Sequence, residues 1–331
     1  MKGKQGLVCM GLLLVLSSCH TGKQITASGL QRKDFQTEVN GQHTDLFTLS
    51  NKQGMEVCIT NYGARVVSIL VPDRNGKRED VVCGFSTITE YMEQRQNFGS
   101  TVGRYIGRIL NARFTLDGVE YKLVPNNGKS GHISHGGNPG FADRIWKVEQ
   151  ADTHRVRLSY LSPDGENGFP GNLKVTLVYS LGEDDNALDL TYEATTDAPT
   201  VLNLSHHSFF NISGNFTKSV EDQQLWVDAD RFTPYDDKKC VTGEYLPVAG
   251  TPLDFRMPHA IGECIDADHP QLKVVNGYDH TWELNTKGDD TRPAAWVYDP
   301  ASGRKMEIFT TEPGMQIYTG NGLKGKMTGK G

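Results

Sequence analysis

The 331-residue sequence lacks any block rich in lysine and arginine. Its 40 acidic residues outnumber its 34 lysines and arginines, which gives a formal net charge of -6 at pH 7. Proteins that bind nucleic acid carry a basic patch or stripe facing the phosphates, and this sequence has no such footprint. The composition therefore argues against a nucleic-acid partner and suits a sugar or another neutral small molecule.

The sequence also lacks a hydrophobic run long enough for a mature membrane span, which needs about 20 residues. A basic start at Lys2 and Lys4 is followed by a short apolar run from Leu7 to Leu16, which is typical of a secretory signal. Leu16-Ser17-Ser18-Cys19 then resembles a bacterial lipobox, in which the cysteine is lipidated and becomes the new N-terminus. We predict a lipoprotein signal peptide over 1–18 and a lipid anchor on Cys19, which would hold the protein at a membrane of the bacterial cell envelope. An ordinary cleaved signal with an incidental cysteine is the alternative.

No Cys-x-x-Cys pair occurs among the six cysteines. Outside the signal these cysteines are Cys58, Cys83, Cys240 and Cys264. They could pair as disulfides in an oxidising compartment, but Cys58 and Cys83 lie in apolar, strand-like runs and are typical of small buried hydrophobic residues. We predict no metal site from these cysteines.

Helical periodicity is almost absent, and short runs rich in Val, Ile, Thr, Tyr and Phe alternate with Gly, Asn, Asp and Pro. This pattern predicts an all-β sandwich, and Asp117-Gly118 predicts a tight hairpin turn. The polar segment from His20 to about Gln36 is typical of a tether, so we predict a flexible tether over 19–39 and one β domain over 40–331. The predicted strands run over Leu46 to Ser50, Glu56 to Thr60, Arg65 to Val71, Arg113 to Leu116, Glu120 to Val124, Arg155 to Leu161, Leu173 to Ser180, Ala187 to Ala194, Val201 to Phe209, Leu225 to Asp228, Thr281 to Leu284, Lys305 to Thr310 and Gln316 to Thr319.

The strand-like run from Asn203 to Asn211 holds two adjacent histidines, His206 and His207. Neighbouring side chains of a strand point to opposite faces, so one ring faces a cleft while the other packs or is hydrated. A histidine in a cleft can give or take a proton near neutral pH and is a candidate general acid. The alternative is a pair of hydrogen-bonded structural histidines.

A glycine-rich stretch from Asn126 to Gly137 presents His132 and His135. It lacks the strand, GxxxxGK[ST] and helix context of a phosphate loop, which argues against nucleotide binding. His132-x-x-His135 together with the other histidine pair is compatible with zinc, but no acidic partner lies in a ligand motif, and imidazoles in a cleft equally suit hydrogen bonding. We therefore predict no metal.

Two arginines, Arg104 and Arg108, lie four residues apart in a loop-like segment. A guanidinium offers a planar fork of donors for sugar hydroxyls, although a structural ion pair is the commoner use. The turn Asn276-Gly277-Tyr278-Asp279 places a carboxylate beside an aromatic ring, an arrangement that also suits a carbohydrate.

Together these stretches resemble the aldose 1-epimerase family from about residue 40 onward, and seven motifs in the same order make the resemblance specific. The motifs are Asn61 to Ser68 with Val71 to Arg74, Asn97 to Gly99 with Gly103-Arg104 and Arg108-Ile109, Ser134 to Gly137, Asp164 to Leu173, His207 to Asn211, Gly277 to His280, and Thr311 to Gly314 with Gln316 and Tyr318 to Asn321.

The resemblance implies a large antiparallel β supersandwich and an enzyme that interconverts the α and β anomers of an aldohexose, such as glucose or galactose, without a cofactor. By the same resemblance His207 is the general acid, His135 a second histidine at the sugar, and Asp279 and Arg108 bind sugar hydroxyls. Gly107 and His206 stand where many members carry asparagine, a difference that touches substrate preference more than reaction type.

The family's catalytic base is a glutamate in a Leu-Glu-Thr-Gln-like segment, and the resemblance places that segment downstream of Gly331. Glu312 belongs to the Thr-Glu-Pro-Gly turn and is not that base. We therefore expect a C-terminally incomplete domain, and the alternative function is a sugar-binding, catalytically impaired protein of the same fold.

The lipid anchor gives the first testable prediction. Replacing Cys19 by alanine should move the protein from the membrane fraction to the soluble fraction, because the acyl chains attach at that thiol. Fractionation followed by immunoblotting measures the change, with Cys240→Ala as the matched control. A Cys19→Ala protein that stays with membranes would contradict the prediction.

Overall fold

The structure, a computed structural model, describes residues 24–323, 325 and 328–330. This part of the chain consists mainly of short strands, with two α-helices, α1 (Ile88–Gln94) and α2 (Pro270–Val275). Within these residues no helix combines the length and the apolar character that crossing a membrane requires. Short 3-10 turns cover Arg32–Phe35, Leu110–Ala112, Gly128–Ser130, Phe141–Asp143, Glu166–Gly168 and Ile261–Glu263.

The strands are, in chain order, β1 (Glu38–Val39), β2 (Gln42–His43), β3 (Leu46–Ser50), β4 (Glu56–Thr60), β5 (Arg65–Pro72), β6 (Arg78–Asp80), β7 (Ser100–Val102), β8 (Arg108–Ile109), β9 (Arg113–Leu116), β10 (Val119–Lys122), β11 (Ile133–Ser134), β12 (Lys147–Ala151), β13 (Arg155–Ser162), β14 (Leu173–Leu181), β15 (Leu188–Thr196), β16 (Ser205–His207), β17 (Gln224–Val227), β18 (Arg231–Thr233), β19 (Leu246–Pro247), β20 (His259–Ala260), β21 (Asp279–Glu283), β22 (Ala295–Tyr298), β23 (Lys305–Ile308) and β24 (Gly314–Tyr318).

These strands form four-stranded sheets in the orders β3-β4-β5-β6, β12-β13-β14-β15, β20-β17-β22-β23 and β19-β18-β21-β24. The pairs β1-β2, β8-β11, β9-β10 and β7-β16 stand as two-stranded sheets. Every pairing between these strands is antiparallel. The prediction of an all-β protein is therefore confirmed.

Two hydrophobic clusters account for most of the core. The first joins the β3 to β6 sheet to the β12 to β15 sheet and includes Val57, Leu158 and Leu177, all with no exposed surface. The second lies under the two later four-stranded sheets and includes Phe232 and Trp282. Burial of this apolar area stabilises the fold at roughly 25 cal/mol per Å².

The strands predicted from alternation match the structure best where a partner strand lies next in sequence. β3, β4 and β9 begin and end at the predicted residues, and the Asp117-Gly118 turn has positive φ at both positions, 50° and 78°. By contrast, the strand predicted over Val201 to Phe209 shrinks to Ser205–His207, because only these three residues pair with β7. The segment expected to be loop-like, Thr101 to Ile109, contains part of β7 and the whole of β8.

The structure corrects the extent of the predicted tether. Leu30 and Phe35 are buried against the core, with 5% and 0% exposure. The amide of Ala27 donates to Glu56 Oε1 over 2.6 Å, and Arg32 forms an ion pair of 2.5 Å with Asp45. Residues 24–39 are thus part of the packed domain. Residues 19–23 of the predicted tether lie outside the described part of the chain.

A buried arginine ties the segment after β7 to the β13–β14 connection. The guanidinium of Arg104 is 1% exposed, and all three of its nitrogens donate hydrogen bonds of 2.8–3.3 Å. The acceptors are the hydroxyls of Ser162 and Thr200 and the carbonyls of Ser162, Pro163, Pro170 and Gly171. Arg104 therefore has a structural role, which was the alternative considered for the two arginines.

The Arg104 network generates a stability prediction. In Arg104→Lys, three donors replace the planar fork, and each buried carbonyl left unpaired costs about 1–3 kcal/mol. We expect the free energy of unfolding to fall by roughly 3 kcal/mol or more, read from a urea midpoint. The control is Arg113→Lys, because the Arg113 side chain is 56% exposed and its ion pair with Glu120 is long, at 3.9 Å. Equal midpoints for the two variants would contradict the prediction.

Candidate active site

The two adjacent histidines face opposite sides of β16. The ring of His206 turns inward, where Nε2 lies 2.6 Å from Ser208 Oγ and the ring packs edge-on against Tyr179. His207 stands on the other face and is held at the backbone by the amide of Gly99, which donates to its carbonyl over 3.0 Å. The alternation of side chains along a strand thus separates a packing histidine from one that faces a cleft.

His135 reaches the same cleft from the residue after β11. Its backbone is left-handed, with φ of 53°, and its amide donates to the carbonyl of Gly107 over 2.9 Å. In return the amide of Gly107 donates to His135 Nδ1 over 3.3 Å. Since Nδ1 accepts a hydrogen bond, the neutral ring carries its proton on Nε2, which can donate to a ligand. The following residue must be glycine, because a Cβ on Gly136 would lie 1.8 Å from the carbonyl oxygen of Gly103.

The rings of His135 and His207 meet edge-to-face, with centroids 5.5 Å apart. On its other side His207 stacks on Phe209 at 5.1 Å, and Phe209 in turn contacts Tyr318 at 5.6 Å. Tyr318 pairs with Asp279 across β21 and β24. Ring contacts from the histidine pair to Tyr318, followed by the strand pairing of Tyr318 with Asp279, therefore connect the histidines to the predicted sugar-binding carboxylate.

Burial keeps these imidazoles largely neutral. It lowers the pKa of His135 to about 3, and the nearby charges of His207 and Arg108 act in the same direction. Burial also lowers the pKa of His206 to about 3, with a smaller contribution from His207. For His207 burial lowers the pKa, and the buried cation Arg65 adds to the effect. Low dielectric disfavours the charged form of an imidazole, which explains the common direction.

Asp279 is held by the strand beside it. Gln316 Nε2 on β24 donates to Asp279 Oδ1 over 2.6 Å and to the hydroxyl of Tyr235 over 3.3 Å. Burial raises the pKa of Asp279, while the Gln316 hydrogen bond and the charge of Arg108 oppose the rise. Burial and the Asp279 charge raise the pKa of Tyr235 to about 12. The carboxylate thus has a fixed orientation and a hydrogen-bonding neighbour.

Strand pairing brings Arg108 close to His135, since Arg108 pairs with Ser134 across β8 and β11. Its Nη1 donates to the carbonyl of Lys239 over 2.9 Å. Its charge lowers the pKa of both His135 and Asp279, which places it near each group. Arg108 is only partly buried, in contrast to Arg104, and its remaining donors can serve a ligand.

Other predicted residues do not join this cleft. The ring of His132 is buried elsewhere, with Nδ1 accepting from the amide of Asn111 over 3.0 Å. The four histidines considered for zinc therefore do not converge on one point. Glu312 is exposed in the turn before β24, and Cys19 lies outside the described residues. Cys58, Cys83, Cys240 and Cys264 are free thiols.

Sequence reasoning missed Tyr235, which contributes a hydroxyl beside Gln316 and Asp279. The residue follows β18 in a Phe-Thr-Pro-Tyr run, and β18 pairs with β21, the strand that carries Asp279. A tyrosine after a short strand is too common to single out. Only the sheet order β19-β18-β21-β24 brings it to the carboxylate.

A cleft lined by histidines, an arginine and a carboxylate on an antiparallel β fold suits acid and base chemistry on a polar, neutral ligand. Comparison with known proteins makes the class specific. The sequence profile of the aldose 1-epimerase family matches residues 45–331. The chain is 39% identical over 284 residues to galactose mutarotase of Sus scrofa, covering 86% of this chain and 80% of that protein.

Aldose 1-epimerase of Escherichia coli strain K12 is 36% identical over 286 residues, covering 86% of this chain and 81% of that enzyme. The crystal structure of galactose 1-epimerase from Lactobacillus acidophilus superposes with a TM-score of 0.76 at 30% identity, covering 86% of this chain and 81% of that one. The chain belongs to the aldose 1-epimerase family, a family of isomerases.

The lowered pKa of His206 generates a pH prediction. Its folded-state pKa lies below the unfolded value, so protonation favours the unfolded chain, and stability is lost as the pH falls from 6.5 towards 3. One pKa unit corresponds to about 1.4 kcal/mol, so His206 alone should remove about 2 kcal/mol between pH 8 and pH 5. The variant His206→Asn should lose correspondingly less, measured by urea unfolding at both pH values.

The matched control is His43→Asn, because the His43 side chain is 79% exposed and stays hydrated in both states. This variant should lose as much stability on acidification as the native protein. The prediction is wrong if His206→Asn and the native protein lose equal amounts.

Proposed function

We propose that this protein interconverts the α and β anomers of an aldohexose by acid and base catalysed opening and closing of the pyranose ring. The observation that carries the proposal is the edge-to-face pair of His135 and His207, with ring centroids 5.5 Å apart, and Arg108 lies close enough for its charge to lower the pKa of His135 and of Asp279. Family membership and relatives that are named galactose mutarotase or aldose 1-epimerase support the same reaction.

In the proposed reaction His207 donates a proton to the ring oxygen while a base removes the proton of the anomeric hydroxyl. The bond between C1 and the ring oxygen breaks, and the C1–O bond becomes the carbonyl of the open-chain aldehyde. Rotation about C1–C2 and closure on the opposite face invert C1 and return both protons. The lowered pKa of His207 leaves a small protonated fraction at neutral pH and makes that fraction a stronger acid.

The neighbouring residues hold the sugar for this step. His135 donates from Nε2, Asp279 accepts from hydroxyls, and Arg108 donates through its guanidinium fork. Because His135 is neutral, no second positive charge lies beside His207. His207 is then the one group of the pair that donates a proton to the ring oxygen. Gly107 leaves room beside His135, since a Cβ built there meets no atom within 4 Å. That room bears on substrate preference.

The base is part of the same proposal. Glu312 is exposed in the turn before β24, where its amide donates to Thr310 Oγ1 over 3.0 Å, and this position supports the prediction that Glu312 is not the base. The proposal therefore assigns the base to a glutamate of the Leu-Glu-Thr-Gln-like segment expected from the family resemblance. A sugar-binding protein with impaired turnover is the corresponding outcome for a chain without that segment.

The proposal also includes the architecture and the location. The four-stranded antiparallel sheets and the superposition on a galactose 1-epimerase support a large β supersandwich. The basic start, the apolar run and Leu16-Ser17-Ser18-Cys19 support a lipid anchor on Cys19 in the bacterial cell envelope.

Polarimetry of freshly dissolved α-D-glucose and α-D-galactose tests the function. In a chain extended by a Leu-Glu-Thr-Gln-like segment, His207→Ala should lower the turnover number by about 10²–10⁴-fold, as loss of a general acid typically does. His206→Asn, on the other face of β16, is the matched control and should retain turnover. An unchanged rate in His207→Ala, or no catalysis by the extended native protein, would contradict the proposal.

A further inference from the structure

A second group of reactive side chains lies at the edge of the β20-β17-β22-β23 sheet. His259 is on β20, Glu263 ends the 3-10 turn that follows, and Cys264 is the next residue. One nitrogen, one carboxylate oxygen and one sulfur from these residues lie within 4.8 Å of one another. Within the described part of the chain this is the one group of three such donors that converges so closely. None of the three belongs to the sugar cleft.

The donor set matches zinc. Imidazole nitrogen, thiolate sulfur and carboxylate oxygen are the three kinds of protein ligand that Zn²⁺ takes. Tetrahedral bonds of about 2.0–2.3 Å place neighbouring ligand atoms roughly 3.3–3.8 Å apart. His259 Nδ1 and Glu263 Oε2 are already 3.9 Å apart. The Glu263 side chain is 63% exposed, so a small rotamer change brings its oxygen into range.

The imidazole is oriented as zinc ligands are. His259 stacks on Phe255 with centroids 4.5 Å apart and planes 14° from parallel, which fixes the ring. Nε2 lies 3.3 Å from the carbonyl oxygen of Asp254, so the N–H on that side has an acceptor. Metal-bound histidines typically donate their second nitrogen to a carbonyl or carboxylate in this way. Nδ1 lies 3.1 Å from the carbonyl oxygen of Ala260, and metal binding at Nδ1 selects the tautomer with the proton on Nε2 and replaces the Ala260 contact.

The backbone that carries the donors is also held in place. The amides of Ile261 and Gly262 donate to the carbonyls of Gln223 and Glu221, each over 2.9 Å. Ile261 is 6% exposed and packs in the second hydrophobic cluster. A site built on fixed backbone loses little freedom when it binds a metal.

We propose that His259, Glu263 and Cys264 form a zinc site, with water in the fourth position. Binding replaces the thiol proton of Cys264, which is released to solvent, with a zinc–sulfur bond and involves no redox step. The sequence-based prediction of no metal site weighed the cysteines by Cys-x-x-Cys spacing, and that criterion does not detect a His-x-x-x-Glu-Cys arrangement. The site lies on edge strand β20, next to Phe255 and Tyr278, and stabilises this sheet edge when it is occupied.

Cobalt is the probe for the test, because a thiolate bound to Co²⁺ gives a charge-transfer absorption that nitrogen and oxygen ligands do not. Titration of the purified, metal-free full chain should saturate this band at one Co²⁺ per chain, and Zn²⁺ should displace it. The band should vanish in Cys264→Ser and persist in the matched control Cys240→Ser. His259→Gln should weaken metal binding by at least about 10-fold, as loss of an oriented ligand does.

A second readout covers variants that fold poorly. Zn²⁺ should raise the melting temperature of the native chain and of Cys240→Ser, because a ligand that binds only the folded state stabilises it. Glu263→Gln changes an exposed side chain and should fold normally but bind Zn²⁺ at least about 10-fold more weakly. Absence of the cobalt band in the native chain, or a band that survives Cys264→Ser, would overturn the proposal. Both outcomes are independent of mutarotation.

Discussion

The buried guanidinium of Arg104 is the interaction on which the geometry of the cleft depends. A charged group that is 1% exposed is tolerated only where its donors find acceptors, and here they find four carbonyls and two hydroxyls. These acceptors come from the last residue of β13, from the β13–β14 connection and from Thr200. The hydrogen bonds therefore fix the backbone at Arg104. Gly107 and Arg108, three and four residues further on, follow from this fixed backbone and lie beside His135.

The same residue shows what sequence reasoning could and could not resolve. Arg104 and Arg108 are alike in residue type and lie in one short segment, so composition gives no reason to separate an anchor from a ligand-facing donor. For His206 and His207 the two-residue period of a strand did predict opposite faces, although it could not say which ring faces the cleft. The structure resolves both pairs because it shows which acceptors surround each side chain.

The local sequence pattern was sufficient to predict strand bounds where a strand pairs with the next strand along the chain. The edges of β3, β4 and β9 and the Asp117-Gly118 turn follow from alternation and turn preference. Short strands such as β7, β8 and β16 pair across large separations in sequence, for example His207 with Ser100, and the local pattern, which predicted a strand over Val201 to Phe209, sets neither their bounds nor their partners. Tyr235 beside Asp279 depends on sheet order in the same way. The packing of residues 24–39 was also missed, because a few buried residues such as Phe35 outweigh a polar composition.

Two glycines near His135 differ in how freely they can change during evolution. Gly136 faces a backbone oxygen so closely that any side chain there would push the histidine out of place, whereas Gly107 borders open space. Because the φ of Gly107 is 79°, the open space there suits a residue that tolerates left-handed backbone, such as asparagine, whereas position 136 has no room for a side chain. The backbone beside His135 is therefore fixed at Gly136, and a new side chain at position 107 can change the surroundings of His135 without moving that ring.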